Sequence, residues 1–169
     1  MNIGIYIYDE AEVLDFSGPF EVFSTASRVS KTPNLFSVFL ISETGKTVTA
    51  RGGYEVNSAY SISTHPSIDV LIVVGGVHTG EMKKPLVLKW IAEASQQAKL
   101  VASVCSVAFL LAEAGALSDH KVTTHRKDRS EKISQTSEKV IRTWRSLKIN
   151  GGLMREISSP QAAYRLALT

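Results

Sequence analysis

Two uninterrupted apolar runs, Val70–Val74 and Leu100–Val104, constrain the fold of this chain more than any other feature. A strand with one wet face alternates apolar and polar side chains, and these runs do not. Both faces of such strands must be covered, as in a parallel sheet sandwiched between helices. Further strand-like segments occur at Ile3–Tyr8, at Leu35–Ile41 and, shorter, at Lys121–Thr124. Helical patterns near Phe16–Val29, Lys83–Lys99 and Ser106–Ala114 lie between them, and Gly115 offers the last a C-terminal cap. The alternation predicts an α/β domain with a doubly wound, mostly parallel sheet. Thr47–Ile62 reads differently. Gly52-Gly53 and partial alternation around Tyr54-Glu55-Val56 suggest a small hairpin inserted at a sheet edge. A length of 169 residues fits one domain spanning 1–169.

Ligands in such sheets gather at the carboxyl ends of the strands. Three features fall there: Asp9–Asp15 after the first strand, Gly75-Gly76 after the Val70–Val74 run, and Cys105 after the Leu100–Val104 run. Cys105 is the single cysteine of the chain and sits at a strand-to-helix elbow. A thiol there faces the positive end of the helix dipole, which favours thiolate and makes Cys105 a candidate nucleophile. Burial as a small apolar side chain is the competing reading. Gly75 and Gly76 permit backbone conformations other residues resist. Their amides, or that of Ser106, are candidate stabilisers of an oxyanion on a substrate, and a plain turn is the alternative.

Asp15 precedes Phe16-Ser17-Gly18-Pro19, and Pro19 suits a first helical turn, so Asp15 or Ser17 can be read as a helix N-cap. Asp15 can equally hydrogen-bond the thiol and shuttle its proton, with Glu21 as the alternative acid on the same helix. His125, ending Val122-Thr123-Thr124-His125, is a candidate for holding a thiolate or for ordinary hydrogen bonding. His65, His78 and His120 are not spaced as metal ligands, and one cysteine gives no zinc pattern, so no metal and no cofactor are expected. The chain has neither a dinucleotide fingerprint after the first strand nor a phosphate loop.

Charge is uneven. Through His120 there are 8 Lys+Arg against 12 Asp+Glu, and from Lys121 onward 11 against 4. The basic residues of the last third are scattered without interleaved aromatics, so a solvated surface is expected rather than a nucleic-acid partner. One cysteine and 44% hydrophobic residues fit a reducing compartment and an ordinary globular composition. With no signal-like leader at Met1-Asn2 and no membrane-length apolar stretch, a cytoplasmic protein is expected, with no membrane partner.

Several segments together carry a resemblance. They are Ile3-Gly4-Ile5, Leu14-Asp15-Phe16-Ser17-Gly18-Pro19-Phe20-Glu21-Val22-Phe23, Asp69–Gly76, Ser103–Leu117 and Thr123-Thr124-His125. In this order and spacing they resemble the ThiJ/PfpI (DJ-one-like, class I glutamine-amidotransferase-like) superfamily. Within it the Asp-x-x-Gly-Pro helix start and the Thr-Thr-His strand look most like the isonitrile hydratases and the sensor domains of AraC-type regulators. The resemblance implies a flavodoxin-like sheet with a cysteine elbow and a small-molecule substrate or ligand. It also implies homodimers. The hydratase resemblance implies that Cys105 attacks the substrate carbon, that Asp15 handles its proton and that Ser106 helps position the site. The product would be an N-formamide. The regulator resemblance implies ligand binding without chemistry, and this chain is too short to add a helix-turn-helix domain.

The chain departs from the resemblance at four places. Val107 stands where many relatives have glycine, and Ser106 where threonine is frequent. The histidine of the protease-like branch is absent after the cysteine. After His125 the resemblance stops, and 126–169 reads as a basic tail, divergent or frame-shifted, with amphipathic spacing at Ile133, Val140, Trp144 and Leu147 and a terminal helix around Ala162–Leu168. The leading expectation is a cysteine-dependent small-molecule hydratase or hydrolase. The alternative is a non-enzymatic redox- or ligand-sensing or stress-protective protein, or an inactive remnant.

Overall fold

The computed structural model describes residues 1–117 throughout and, beyond them, the backbone of 147–149, 152–154 and 156–157. In chain order the elements are β1 (Asn2–Tyr6), α1 (Val13–Val29), β2 (Ser37–Ser42), β3 (Thr47–Ala50), β4 (Tyr54–Asn57), β5 (Tyr60–Ser61), β6 (Val70–Val73), α2 (Pro85–Gln97), β7 (Leu100–Val104), α3 (Ala108–Glu113), β8 (Leu147–Ile149), β9 (Gly152–Met154) and β10 (Glu156–Ile157). Among the described residues one six-stranded sheet runs β10-β7-β6-β1-β2-β5, parallel at every pairing. The two apolar runs are its centre. Val70–Val73 is buried at every position, and so is Val101–Val104. Ile3, Ile5 and Ile7 of the first strand and its extension are fully buried beside them.

From β1 the chain moves outward to β2 in one direction, and from β6 to β7 in the other. With the right-handed crossing that parallel strand–helix–strand connections take, the opposite directions put α1 and α2 on opposite faces of the sheet; α3 packs against α2. The reversal falls between β1 and β6, so the crevice beyond their carboxyl ends is the topological switch point.

Local chemistry moves several boundaries. Helix α1 starts at Val13, not Phe16, with Glu12 in the N-cap position and no side-chain cap bond. The N-cap reading of Asp15 and Ser17 is therefore corrected. Ser17 donates its hydroxyl to the Val13 carbonyl at 2.8 Å, and the Asp15 carboxylate accepts the Gly75 N–H instead of capping the helix. Pro19 lies inside α1 rather than in its first turn. At the other end of the site, α3 closes as the Gly115 signal predicts. Gly115 has φ 73°, its N–H reaches the Ala112 carbonyl at 2.9 Å, and the Ala116 N–H reaches Leu111 at 3.0 Å. This is a Schellman closure, which needs a left-handed residue at that position.

The hairpin expected in 47–62 is β3–β4, a two-stranded antiparallel sheet of its own. Only β5, which follows it, joins the edge of the main sheet. The hairpin turn is tied to the β1–α1 loop. The Glu10 N–H donates to Thr49 O at 2.9 Å, the Arg51 N–H to Ala11 O at 3.0 Å, and the Thr49 N–H to the Asp9 carboxylate at 2.9 Å. Beyond β1 and β6 a buried carboxylate, Glu81, accepts the Tyr6 hydroxyl at 2.6 Å and Lys84 at 2.7 Å, and Lys84 also reaches Glu43 at 2.8 Å.

The strand expected at Lys121–Thr124, the residues Ile133, Val140 and Trp144, and the helix around Ala162–Leu168 lie outside the described residues. Leu147, the last residue of the amphipathic spacing noted above, opens strand β8, which pairs with β9. β10 extends the main sheet beyond β7, with Glu156 opposite Ser103 and Ile157 opposite Val104.

Candidate functional site

Three segments meet beyond the carboxyl ends of β1, β6 and β7. Ala11 and Gly76 form an isolated antiparallel bridge, in which the Glu12 N–H donates to Gly75 O at 2.9 Å and the Val77 N–H to Glu10 O at 3.1 Å. The bridge holds the start of α1 against the Gly75-Gly76 turn. The Gly75 N–H then donates to Asp15 Oδ2 at 3.1 Å.

Gly75 marks how close the parts come. A Cβ placed on it would lie 2.6 Å from Asp15 Oδ2, 2.7 Å from the Cys105 Cβ and 3.0 Å from the Val104 carbonyl. The carboxylate and the cysteine side chain thus flank one point that only a glycine leaves open. Gly76 is as constrained, with φ 144° and a would-be Cβ driven into the Glu10 carbonyl. A glycine is required at both positions for backbone approach, more than for turning alone.

Cys105 follows β7 directly and has φ 63°. A non-glycine residue in the left-handed region costs about 1–2 kcal/mol, a strain that surrounding structure must hold in place. The residue is half-buried and forms no disulfide. Ser106, next to it, is half-buried as well. Val107 is fully buried with φ −73° and ψ −5°, an ordinary helical geometry, so the glycine frequent in relatives is not needed here for backbone reasons.

Burial pushes the carboxyl of Asp15 up from 3.8 to about 6, with the Gly75 N–H opposing the shift and the Glu12 charge adding to it. A carboxyl poised there exchanges its proton near neutral pH. Beneath the site lies Tyr8. Its buried hydroxyl donates to the Val74 carbonyl at 2.9 Å, and its phenol is pushed up by burial and by negative charge at Glu81, Asp15 and Cys105. Its hydroxyl stays protonated and fixes the end of β6, from which the glycine turn departs.

Of the residues singled out from sequence, the fold thus gathers Asp15, Gly75, Gly76 and Cys105, with Ser106 adjoining. It does not gather Glu21. That side chain is exposed, accepts Thr25 at 2.7 Å and Arg28 at 3.0 Å, and its carboxyl is held below the usual range by those two partners. His125 lies outside the described residues. Gly75 spends its N–H on Asp15, which leaves Gly76 and Ser106 as the amides to consider for an anion. Tyr8 and His78 escaped the sequence reading. In the sequence the first reads as one more strand residue, and the second stands out only against a metal-ligand spacing that it does not fit. Among the described residues no group of three or more His, Cys, Asp or Glu is placed to hold a metal ion, and no helix is long and apolar enough to cross a membrane.

Comparison with known proteins agrees with this architecture. An uncharacterized protein in the cpoL 5′ region of Streptomyces lividans is 34% identical over 125 residues, covering 73% of this chain and 86% of that protein. The isonitrile hydratase of Pseudomonas putida is 29% identical over 126 residues, covering 74% of this chain and 52% of the hydratase, so the chain spans about half of that enzyme's length. Among solved structures, a ThiJ/PfpI family protein from Pseudomonas syringae superposes with a TM-score of 0.74 at 20% identity, covering 99% of this chain and 66% of that one. The model of the DJ-1/PfpI family matches residues 1–147, beyond the point at His125 where the motifs end. By that match over most of its length, set on a parallel sheet with this switch-point crevice, the chain belongs to the DJ-1/PfpI family.

Proposed function

We propose that the protein is a cysteine-dependent hydratase or hydrolase of small molecules, of the isonitrile hydratase kind, with Cys105 as nucleophile and Asp15 as its acid–base partner. The observation that carries this reading is the convergence of the Asp15 carboxylate and the Cys105 side chain on the space kept open by Gly75. Similarity to isonitrile hydratase supplies the substrate class.

For an isonitrile the steps balance as the addition of one water. The Cys105 sulfur bonds to the terminal carbon, which takes the proton held by Asp15 and becomes a thioimidate. Asp15 then accepts a proton from water as its oxygen attacks the same carbon. The carbon–sulfur bond breaks, the thiolate leaves, and the hydroxyl proton of the resulting imidic acid passes to nitrogen, so that the product is an N-formamide. The Gly76 and Ser106 amides are the donors proposed for negative charge during these steps. Assembly as a homodimer in the cytoplasm belongs to the same proposal and rests on the family alone.

The test is the pH profile of Cys105 alkylation by iodoacetamide in the native protein and in Asp15→Asn, followed by formamide production from an alkyl isonitrile. The proposal expects a thiol that reacts below the pH of free cysteine, a profile that moves in Asp15→Asn, and turnover lost in Cys105→Ala. A thiol with the free-cysteine profile, indifferent to Asp15, rules out the activated nucleophile. Reversible oxidation of Cys105 without turnover of any isonitrile, aldehyde or amide would assign the fold to sensing instead.

A further inference from the structure

Four ring side chains run in one line from beneath Cys105 to the surface, and the chemistry proposed above does not use them. Tyr8 stands at the inner end. Its hydroxyl rests on the Val74 carbonyl at 2.9 Å, one residue before the glycine that Cys105 approaches. Tyr6, two residues back on the same face of the first strand, has its ring centroid 6.0 Å from that of Tyr8. Trp90 of α2 lies 5.1 Å from Tyr6, and His65 lies 5.5 Å from Trp90. All three separations fall within about 4.5–7 Å, the spacing of aromatic rings in direct contact. Tyr8, Tyr6 and Trp90 are buried, and His65 is half-buried between exposed Thr64 and Pro66.

The destination of the protons separates this line from ordinary core packing. An indole or phenol that loses an electron becomes a strong acid, so the loss is easy only beside a base that takes the proton. Trp90 donates its one side-chain N–H to His65 Nε2 at 2.8 Å. An indole nitrogen only donates, so Nε2 accepts, and the His65 proton sits on Nδ1, which reaches the Pro66 carbonyl at 2.8 Å. Tyr6 donates its hydroxyl to Glu81 Oε2 at 2.6 Å, leaving Oε1 to Lys84 at 2.7 Å. Two buried oxidisable rings in succession thus each hold one proton against a base. A packed core asks only for some hydrogen-bond partner at such groups. Tyr8 differs. Its acceptor is a carbonyl, which takes no proton, so its ring bridges the gap to Cys105 without keeping a radical.

We propose that Tyr8, Tyr6, Trp90 and His65 form a one-electron conduit that makes Cys105 the final donor to oxygen-centred radicals arriving at the surface. The radical takes an electron from Trp90, whose proton passes to His65 Nε2. Tyr6 then refills Trp90: the phenol proton passes to Glu81, and the indole recovers its own from His65. The Cys105 thiolate supplies the next electron through the Tyr8 ring, Glu81 returns the proton to Tyr6, and a thiyl radical remains on Cys105. The sum is one electron from sulfur to oxidant, with every proton back where it began. A thiolate ends the sequence because it gives up an electron with no proton to release, and in this the proposal rests on the reading of Cys105 as an activated thiol.

The probe is the azide radical, generated by pulse radiolysis, which oxidises indole in preference to phenol. The protein is the full chain carrying Trp144→Phe, so that Trp90 is its one indole. Indolyl and phenoxyl radicals are followed by their separate visible absorptions. The expected result is an indolyl signal that decays by a first-order process, at a rate independent of protein concentration, with a nitrone spin trap ending on Cys105. The decay should slow in deuterium oxide, because each inward step moves a proton, and this reading needs no change in the line itself. In Cys105→Ala the radical should stay on Trp90 and Tyr6. In Tyr6→Phe the indolyl signal should persist and the Cys105 adduct be lost. No indolyl signal, or a decay that quickens with protein concentration, overturns the conduit. A Cys105 adduct that Tyr6→Phe leaves unchanged reports direct attack on sulfur and overturns it too. Repeating the pulse above the pH at which free cysteine ionises separates the two readings. Transfer confined to that higher pH keeps the conduit and overturns the activated thiol, whereas transfer absent at both overturns the conduit whatever the alkylation profile shows.

Discussion

Asp15→Asn should make the protein more stable at neutral pH while disabling its site. In the fold the Asp15 carboxyl titrates at about 6, raised from 3.8 by burial. A proton held more tightly in the folded than in the unfolded state stabilises the fold below the unfolded value. That stabilisation is lost as pH rises through the folded value, here between 3.8 and about 6. Above that window the ionised carboxylate is a liability. A shift of about two units corresponds to about 3 kcal/mol if fully felt, and the half-buried position, screened by solvent, brings this to about 1–2 kcal/mol. Asparagine keeps an oxygen to accept the Gly75 N–H, so the local geometry survives the change. Urea denaturation at pH 8 should show Asp15→Asn more stable by about 1–2 kcal/mol, or higher in Tm by roughly 3–6 °C for a domain of this size. At pH 5 the advantage should shrink to about half, because the native carboxyl is then protonated in the fold while the unfolded one remains largely ionised. Equal stability at pH 8, or a difference that does not change between pH 5 and pH 8, would refute the burial-raised carboxyl and remove Asp15 as a proton carrier near neutrality.

Three further changes probe the frame around it. Gly75→Ala pushes a methyl against Asp15 Oδ2 and the Cys105 Cβ, and should lower stability by about 1–3 kcal/mol and slow Cys105 alkylation; an alanine variant with native Tm and native rate would show that the approach is not tight. Cys105→Gly relieves the left-handed backbone at φ 63°, so it should be more stable than Cys105→Ala by about 1 kcal/mol, and an alanine variant at least as stable as the glycine one would contradict the strain. Tyr6→Phe takes the hydroxyl from buried Glu81 and should cost about 1–3 kcal/mol by chemical denaturation, an unchanged midpoint showing that Lys84 alone satisfies the carboxylate.

Sequence alone determined what repeats along the chain or is a property of residue type. Continuous apolar runs can be satisfied only by strands covered on both faces, so Val70–Val74 and Leu100–Val104 declared a parallel sheet, and Gly115 declared the end of α3 because a left-handed closing residue favours glycine. The positions of Asp15, Gly75, Gly76 and Cys105 at strand ends could be read for the same reason. Tertiary structure decided which of these groups meet. Asp15 and Glu21 are both acids on α1, and no local rule separates a carboxylate facing the Gly75 amide from one paired outward with Arg28. The N-cap reading of Asp15 failed because its better partner comes from 60 residues away, across a bridge no periodicity encodes. The same holds for His78. A histidine in a loop declares nothing until the fold lays its Nδ1 on the Gly76 carbonyl and its ring on Phe109. Periodicity and propensity act over a few residues, and they specified the scaffold. The shifted carboxyl, the strained cysteine and the gripped glycine turn depend on burial and on contacts between distant segments, which exist only once the sheet has assembled.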